Sequence, residues 1–351
     1  MKITMPDRYD SFRCLAAACP DTCCRDWEIP VDPDTADFYE TLPGQLGEEV
    51  RKVLSRSEDG TPCLQLRGGK CPLLDGEGLC RIYKELGEEC LSTTCRSHPR
   101  FTREYGELRE VGLCASCPEC ARLVLESDLC LTTRESPEPP AGEEPEGLEE
   151  LLLARQTALA ILGRKELPLS RRLTGVLYFA NELQLLLEEE GGGKEIAQLC
   201  QVYDGIPDFP LPDLGCTSGE AVAEGLAQLE KLEALRPDWP DMLQRAGESL
   251  TRGDLPPALP EEEGARAAAY FIYRHWLRGA WDWDILTWAE FACFGTAMAA
   301  ALAPILGWRE AFRRFCLEIE HSEENMEALQ DAFCALPEET FFALAELLRA
   351  S

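Results

Sequence analysis

Cys14-Leu15-Ala16-Ala17-Ala18-Cys19-Pro20-Asp21-Thr22-Cys23-Cys24 sets four cysteines within eleven residues, a density that side-chain packing alone does not require. Thirteen of the 18 cysteines in this 351-residue chain fall in the first 130 positions. A thiolate is a soft ligand that selects zinc, copper(I) or iron–sulfur clusters, so repeated short intervals between thiols are most simply read as a metal site. Around them, proline and glycine punctuate short segments. Such a unit draws its stability from ligand bonds more than from a conventional core.

Beyond the cysteines the pattern changes. Residues 134–147 combine proline, glycine and acidic side chains without apolar periodicity, which reads as an exposed linker. After it, Leu148–Leu162, Leu169–Leu187, Ala221–Leu235 and Ala265–Leu277 repeat apolar residues at three- and four-residue steps, as amphipathic helices do. Before it, helices are expected over Thr35–Leu42, Leu46–Ser55 and Pro118–Leu129. The expected fold is therefore mainly α: an irregular cysteine-rich metal-binding domain over residues 1–133, the linker 134–147, and a helical domain over residues 148–351. Phe291–Trp308 carries no charge over 18 residues, the lower edge of a membrane-spanning length. Its alanine-rich composition and unflanked ends predict a buried helix with a break near Pro304, and no membrane partner.

The formal net charge is −30, with −8 before residue 131 and −22 after it. Such a surface repels phosphate backbones, which excludes nucleic acid as an expected partner; a basic macromolecule is attracted at long range. The first residues meet charge and proline before any apolar run, so no secretory signal is read there and a cytoplasmic location is expected. Disulfides rarely persist in that setting, which again favours metal or redox chemistry.

The cysteines form three groups: Cys14, Cys19, Cys23 and Cys24; then Cys71, Cys80 and Cys95; then Cys114, Cys117 and Cys120. Adjacent Cys23 and Cys24 point differently along a backbone, so one mononuclear ion would rarely use both. The C-x3-C-x2-C triad of radical S-adenosylmethionine enzymes is absent, since position 26 is Asp26. The bacterial ferredoxin run fails too, with Val124 where its fourth cysteine would stand.

Several ordered motifs accompany these cysteines: Tyr9-Asp10-Ser11-Phe12-x-Cys14, Cys19-Pro20-Asp21-Thr22-Cys23-Cys24-x2-Trp27-x-Ile29, Cys71-Pro72-Leu73, Gly78-Leu79-Cys80, Leu91-Ser92-x-Thr94-Cys95-x2-His98-Pro99-Arg100 and Cys117-Pro118-Glu119. Together they resemble the flagellin lysine-N-methylase family, within the wider set of CxxCxxCC zinc- or iron-chelating proteins, over roughly residues 5–130. The resemblance implies a 4Fe-4S cluster and methyl transfer from S-adenosylmethionine to lysine side chains of flagellin. The positions matching its motifs are Cys14, Cys19, Cys23, Cys24, Cys71, Cys80, Cys95 and Cys117. Eight thiols exceed the four that one cluster needs. Ala16 and Asp26 stand where the family is expected to favour glycine, and His98 where an aromatic often precedes the proline.

The alternative function is a zinc- or iron-chelating module without methylase activity, and a third is a redox sensor built on Cys23-Cys24. Cys63, Cys90, Cys114, Cys120, Cys130, Cys200, Cys216, Cys293, Cys316 and Cys334 are read as small buried hydrophobes. Tyr270–Trp276 and Trp281-Asp282-Trp283-Asp284 have a composition able to enclose a cation or an adenine, although core packing explains it equally. His98 is a possible ligand, His275 a partly buried histidine, and His321 a solvated one. Glu190–Glu195 lacks the spacing of a phosphate loop, and no dinucleotide-binding glycine motif follows a predicted strand. No donor pocket or catalytic base is legible.

Overall fold

Alanine and glycine recur through Leu286–Leu306, and a helix with so little side-chain bulk lets neighbours approach from every direction. In the computed structural model, which describes residues 1–25, 29–57, 60–189, 192–253 and 259–348, that helix is the centre of the molecule. Every residue from Thr287 to Ala303 is buried. Helices Glu261–His275, Trp308–Glu320, Leu169–Glu188 and Glu338–Leu347 pack around it. A Cβ at Gly295 would come within 2.9 Å of Phe271 and Phe315, so glycine sets how closely these helices meet. The helix is long and apolar enough to cross a membrane, yet 83% of the apolar window lies inside the protein. It passes through Pro304 and stops at Gly307, whose φ of 76° suits only glycine without strain; the expected break falls three residues later than the proline.

The chain is mainly α, with two small sheets among the described residues. Four strands run in the order Arg100–Tyr105, Leu108–Leu113, Lys2–Pro6 and Leu131–Glu135. The first two form an antiparallel hairpin around Gly106, Lys2–Thr4 pair in parallel with Leu108–Glu110, and Leu131–Glu135 is antiparallel to Lys2–Pro6. Ion pairing anchors this sheet to the helices: Arg155 Nη1 donates to Glu110 Oε2 at 2.8 Å, with both side chains buried. Tyr105, Ala115, Ala121 and Leu125 belong to the same hydrophobic core as the helices after residue 148.

Part of the segment expected to be an exposed linker, and mostly exposed in the structure, also bonds to the sheet. Arg134 and Glu135 belong to a strand, and the Met1 ammonium donates to the carbonyls of Ser136 and Glu138. Ala141 bridges to Gly106. These contacts fill backbone groups that a solvated linker would leave to water.

A second, smaller core gathers Ile29, Val31, Tyr39, Val50, Leu64, Leu73 and Ile82. It is built by helices Pro33–Thr41 and Gly44–Val53 and the short strands Ile29–Pro30, Leu54–Arg56 and Pro62–Leu64. Asp32 starts the first helix by accepting the Thr35 N–H, with Pro33 at the first helical position. The same carboxylate accepts the Thr93 N–H at 2.6 Å and so ties in the cysteine-bearing helix Thr93–Ser97.

Buried titratable groups set a pH dependence. Burial raises Glu290 to about 8, with Asp284 and Glu338 adding to the effect. Burial also raises Glu318 to about 7 against the opposing N–H groups of Arg236 and Leu235. Both contributions to stability are full below the usual glutamate range and are lost as pH rises through 7 to 8. His98 and His321, lowered to about 4, and His275, lowered to about 3, act in the other sense: their contribution is full above about 6.5 and lost as pH falls toward 4. Maximal stability is expected between about pH 6 and 7. Glu290→Gln should raise the melting temperature at pH 8 by several degrees and leave it nearly unchanged at pH 5; equal shifts at both values would refute the assignment.

Candidate functional site

Cys14, Cys19, Cys23 and Cys117 line one open cleft of about 770 Å³, together with His98 and His321. Three separate stretches build it. The loop Cys14–Cys24 turns through Ala16–Ala18, where Ala16 adopts a left-handed φ of 48° and donates its N–H to the Cys14 sulfur at 3.4 Å. That conformation costs alanine energy that glycine would not lose, which gives a physical reason for the glycine expected at this position. Cys19 donates its thiol proton to the carbonyl of Asp21. Trp27 and Asp26 of the same motif lie outside the described residues.

Cys117 comes from the second stretch, at the N-cap of helix Pro118–Glu126. The Cys120 thiol and the backbone N–H groups of Cys120 and Glu119 aim at its sulfur and bring its pKa down to about 7, against the cost of burial. Cys120 is fully buried and pushed up by that burial, as is Cys114. The tidy spacing of 114, 117 and 120 therefore yields one cleft thiol backed by its neighbour. Cys114, Cys63, Cys120, Cys200, Cys293 and Cys316 are buried as expected, whereas Cys130 and Cys334 are exposed, against the expectation of burial.

The third stretch is the helical body. His321, expected to be solvated, instead turns inward at the end of helix Trp308–Glu320: its Nε2 lies 2.6 Å from Ser116 Oγ and its ring 6.0 Å from that of His98. The glutamates around it in sequence suggest a solvated helix end, yet Glu318 and Glu320 are themselves buried. Burial first, then nearby charge, keeps both imidazoles neutral at pH 7. Asp21 is held between Arg236 at 3.3 Å and Arg313 at 3.2 Å, with Arg25 at 3.9 Å. Arg313 also pairs with Glu310 at 2.6 Å, while Arg25, Arg236 and Asp21 line the cleft itself.

His275 and the aromatic stretch around it belong behind the cleft. His275 Nε2 lies 2.6 Å from Glu320 Oε1, Tyr270 donates to Glu320 Oε2 at 2.8 Å, and Arg274 lies 3.1 Å from the same carboxylate. The Tyr270 oxygen also accepts the Ala115 N–H at 3.1 Å, which fixes the strand leading to Cys117. Burial opposes ionisation of Glu320, but Arg274, His275 and Tyr270 outweigh it and hold its carboxyl near about 2. This network is structural support. Trp281 and Trp283 stand on the surface and form no enclosure with it.

The other four motif cysteines gather elsewhere: Cys24, Cys71, Cys80 and Cys95 pack on the small core of Tyr39, Val50 and Leu73. Cys23 and Cys24 join the two neighbourhoods, their thiols hydrogen-bonded to each other, with Cys24 brought down to about 7 by that bond and Cys23 pushed up by it. Among the described residues no three His, Cys, Asp or Glu side chains form a ready-made ligand set. The thiols share neighbourhoods, and ligand bonds would draw them in further.

Over 129 residues the chain is 32% identical to the lysine-N-methylases of Salmonella typhimurium and Salmonella choleraesuis, covering 35% of this chain and 32% of each relative. The match thus spans about a third of the length of these curated relatives. To the flagellar biosynthetic protein FliU of Salmonella muenchen it is 31% identical over 129 residues, covering 76% of that relative. No family model matches the chain, and no solved structure matches it. With that share of FliU covered at that identity, the chain belongs to the family of the lysine-N-methylases and FliU.

Proposed function

We propose that this protein is a cytoplasmic, iron–sulfur-dependent protein lysine N-methyltransferase that moves methyl groups from S-adenosylmethionine to lysine side chains of flagellin. The observation that carries the reading is the single cleft on which Cys14, Cys19, Cys23, Cys117, His98 and His321 converge. Family membership supplies the reaction class. Cys14, Cys19, Cys23 and Cys117 would hold the cluster, as thiolates of the type such clusters use. Bound there, a 4Fe-4S cluster supplies an iron centre able to bind a donor molecule or pass electrons.

The chain's own residues shape what happens beside it. A lysine attacks as the free amine, so a site for it must not add positive charge next to the ammonium it receives. His98 and His321 are neutral at pH 7 and offer nitrogen atoms without charge, and Ser116 Oγ fixes the Nε2 side of His321. The walls contributed by Phe12, Pro99 and Leu317 exclude water from part of the cleft. Arg25 and Arg236 line the cleft beside Asp21, so a charged group entering there meets both signs.

The test is transfer of labelled methyl from S-adenosylmethionine to flagellin by protein purified without oxygen, with iron and sulfide measured on the same sample. Label on flagellin lysines that requires iron supports the reading. Iron-loaded protein that neither binds S-adenosylmethionine nor labels flagellin would leave a chelating module.

A further inference from the structure

We propose that the turn Trp281-Asp282-Trp283-Asp284, with Glu290 and Glu338 beside it, is a docking surface for a lysine-bearing segment of another protein. The inference goes beyond the proposed reaction and does not depend on it, since such docking requires neither a metal nor a methyl donor.

Hydrogen bonds gather these residues on one patch. Gln184 accepts the N–H groups of Ile285 and Leu286 at 3.0 and 3.4 Å, which holds the turn against helix Leu169–Glu188. One turn earlier on that helix, Asn181 donates to Glu338 Oε1 at 2.9 Å and brings in the start of helix Glu338–Leu347. Asp284 Oδ1 accepts the Thr287 N–H at 3.1 Å at the start of helix Leu286–Leu306, and Glu290 follows within the next turn. Trp283 lies against Gly147, where a Cβ would come within 2.7 Å of its ring, and it holds a left-handed φ of 63° that a bulky side chain rarely adopts. Even so, Trp281 and Trp283 remain 53% and 36% exposed.

The stretches that meet there carry no cation of their own: residues 135–154, 173–193, 279–308 and 315–348 contain neither Lys nor Arg. Among the described residues Asp282, Asp284, Glu290 and Glu338 form no ion pair, whereas Asp128, Glu126 and Glu263 elsewhere on the surface are covered by Lys165, Arg266 and Arg309. Glu290 is the anchor. It is only 7% exposed, yet its carboxyl has no hydrogen-bond partner among the described residues. Burial first, then Asp284 and Glu338, push it up to about 8. A buried carboxyl without a partner is unfavourable; an ammonium docked beside it satisfies the carboxylate and offsets the repulsion from both neighbours. Exposed indole faces attract the same group, tryptophan being the strongest aromatic partner of a cation. Among the described residues no three carboxylates close on one point as a metal ion needs, so the patch fits several spaced cations on a chain. Lysine is favoured over arginine because a compact ammonium can meet one recessed carboxyl, whereas a planar guanidinium suits an open carboxylate fork. After position 130 the chain carries 40 acidic against 18 basic residues, which draws a basic segment in from a distance.

The probe is a synthetic peptide of lysines spaced by alanine and serine, titrated into the full-length protein in a calorimeter. It should bind, and its affinity should fall at least about tenfold as salt rises from about 50 to 300 mM. Trp281→Ala and Glu290→Gln should each weaken binding at least about fivefold. Both variants should keep the fold, which their melting curves check, since Trp281 stands in solvent and Glu290 has no hydrogen bond to lose among the described residues. Glu48→Gln removes a carboxylate from the exposed side of helix Gly44–Val53 and should change the affinity less than about twofold. Absence of binding at low salt overturns the proposal. Equal weakening by Glu48→Gln and the two patch variants does so too, because it means diffuse attraction by net charge, and an arginine peptide that binds more tightly overturns the choice of lysine. The outcome is separable from that of the methylation reading: peptide binding by protein that labels nothing would sink only the latter, and flagellin labelling by protein that ignores the peptide would sink only the docking surface.

Discussion

Cys117→Ser is expected to lower bound iron and sulfide at least about tenfold and to abolish methyl transfer, while the melting temperature stays within a few degrees. The Cys120 thiol and two N–H groups at the start of helix Pro118–Glu126 favour the charged form of Cys117 and bring it down to about 7 against burial. Serine is a preferred residue at the N-cap position that Cys117 occupies, so the fold should survive the change. Loss of metal can then be separated from loss of structure. Cys316→Ala is the control for iron content, as Cys316 is buried against Glu320 and away from the cleft thiols. Iron unchanged in Cys117→Ser, measured together with sulfide, would remove Cys117 from the ligand set.

The largest loss of stability is expected from Glu320→Ala. Among the described residues, Glu320 is the one carboxylate within the buried group of Arg274, His275 and Tyr270. Removing one member of a buried pair strands the other charge and costs about 3–5 kcal/mol, a large part of the stability of an ordinary domain. For a chain of this size that amounts to a fall in melting temperature of roughly 4–7 °C. Glu320→Gln should fall less, because the amide still meets Tyr270 and His275. A scan showing Glu320→Ala melting with the unaltered protein would mean that the network carries no net stability. The effect should also fade as pH approaches about 2, where the carboxyl of the unaltered protein takes up its proton.

Helices that bury one face were legible because their period is local. Leu148–Leu162 appears where the apolar pattern places it, and Leu169–Glu188 differs by one residue. The expected Ala221–Leu235 helix starts three residues earlier and ends at Leu229, because Glu318 and Asn325 capture the backbone of residues 233–236 in a turn. The helix expected over Ala265–Leu277 ends at His275 and tightens into a 3-10 turn over Trp276–Ala280. The four-stranded sheet was not legible: Lys2–Pro6 pairs with strands more than a hundred residues away, and no local period records such a partner.

The site was legible in composition and opaque in arrangement. All eight motif cysteines occupy two neighbourhoods, yet sequence proximity misleads about which go together, because neighbouring Cys23 and Cys24 face different ones. Cys117 joins thiols about a hundred residues before it. His321 gave no usable signal, since its flanking glutamates resemble a solvated helix end while burial is decided by Ser116 and His98.

The two sides of the cleft are far apart in the order of synthesis. The thiols of Cys14 to Cys24 leave the ribosome first, and His321 is made about three hundred residues later, roughly 15–60 s at ordinary elongation rates. For most of that interval the early thiols lack His321, and Arg236 and Arg313, the distant arginines on Asp21, are still to be made. A metal bound at the cleft would therefore be loaded late in the life of the nascent chain, and the early cysteines would have to stay reduced until the helix that carries Arg313 and ends beside His321 docks.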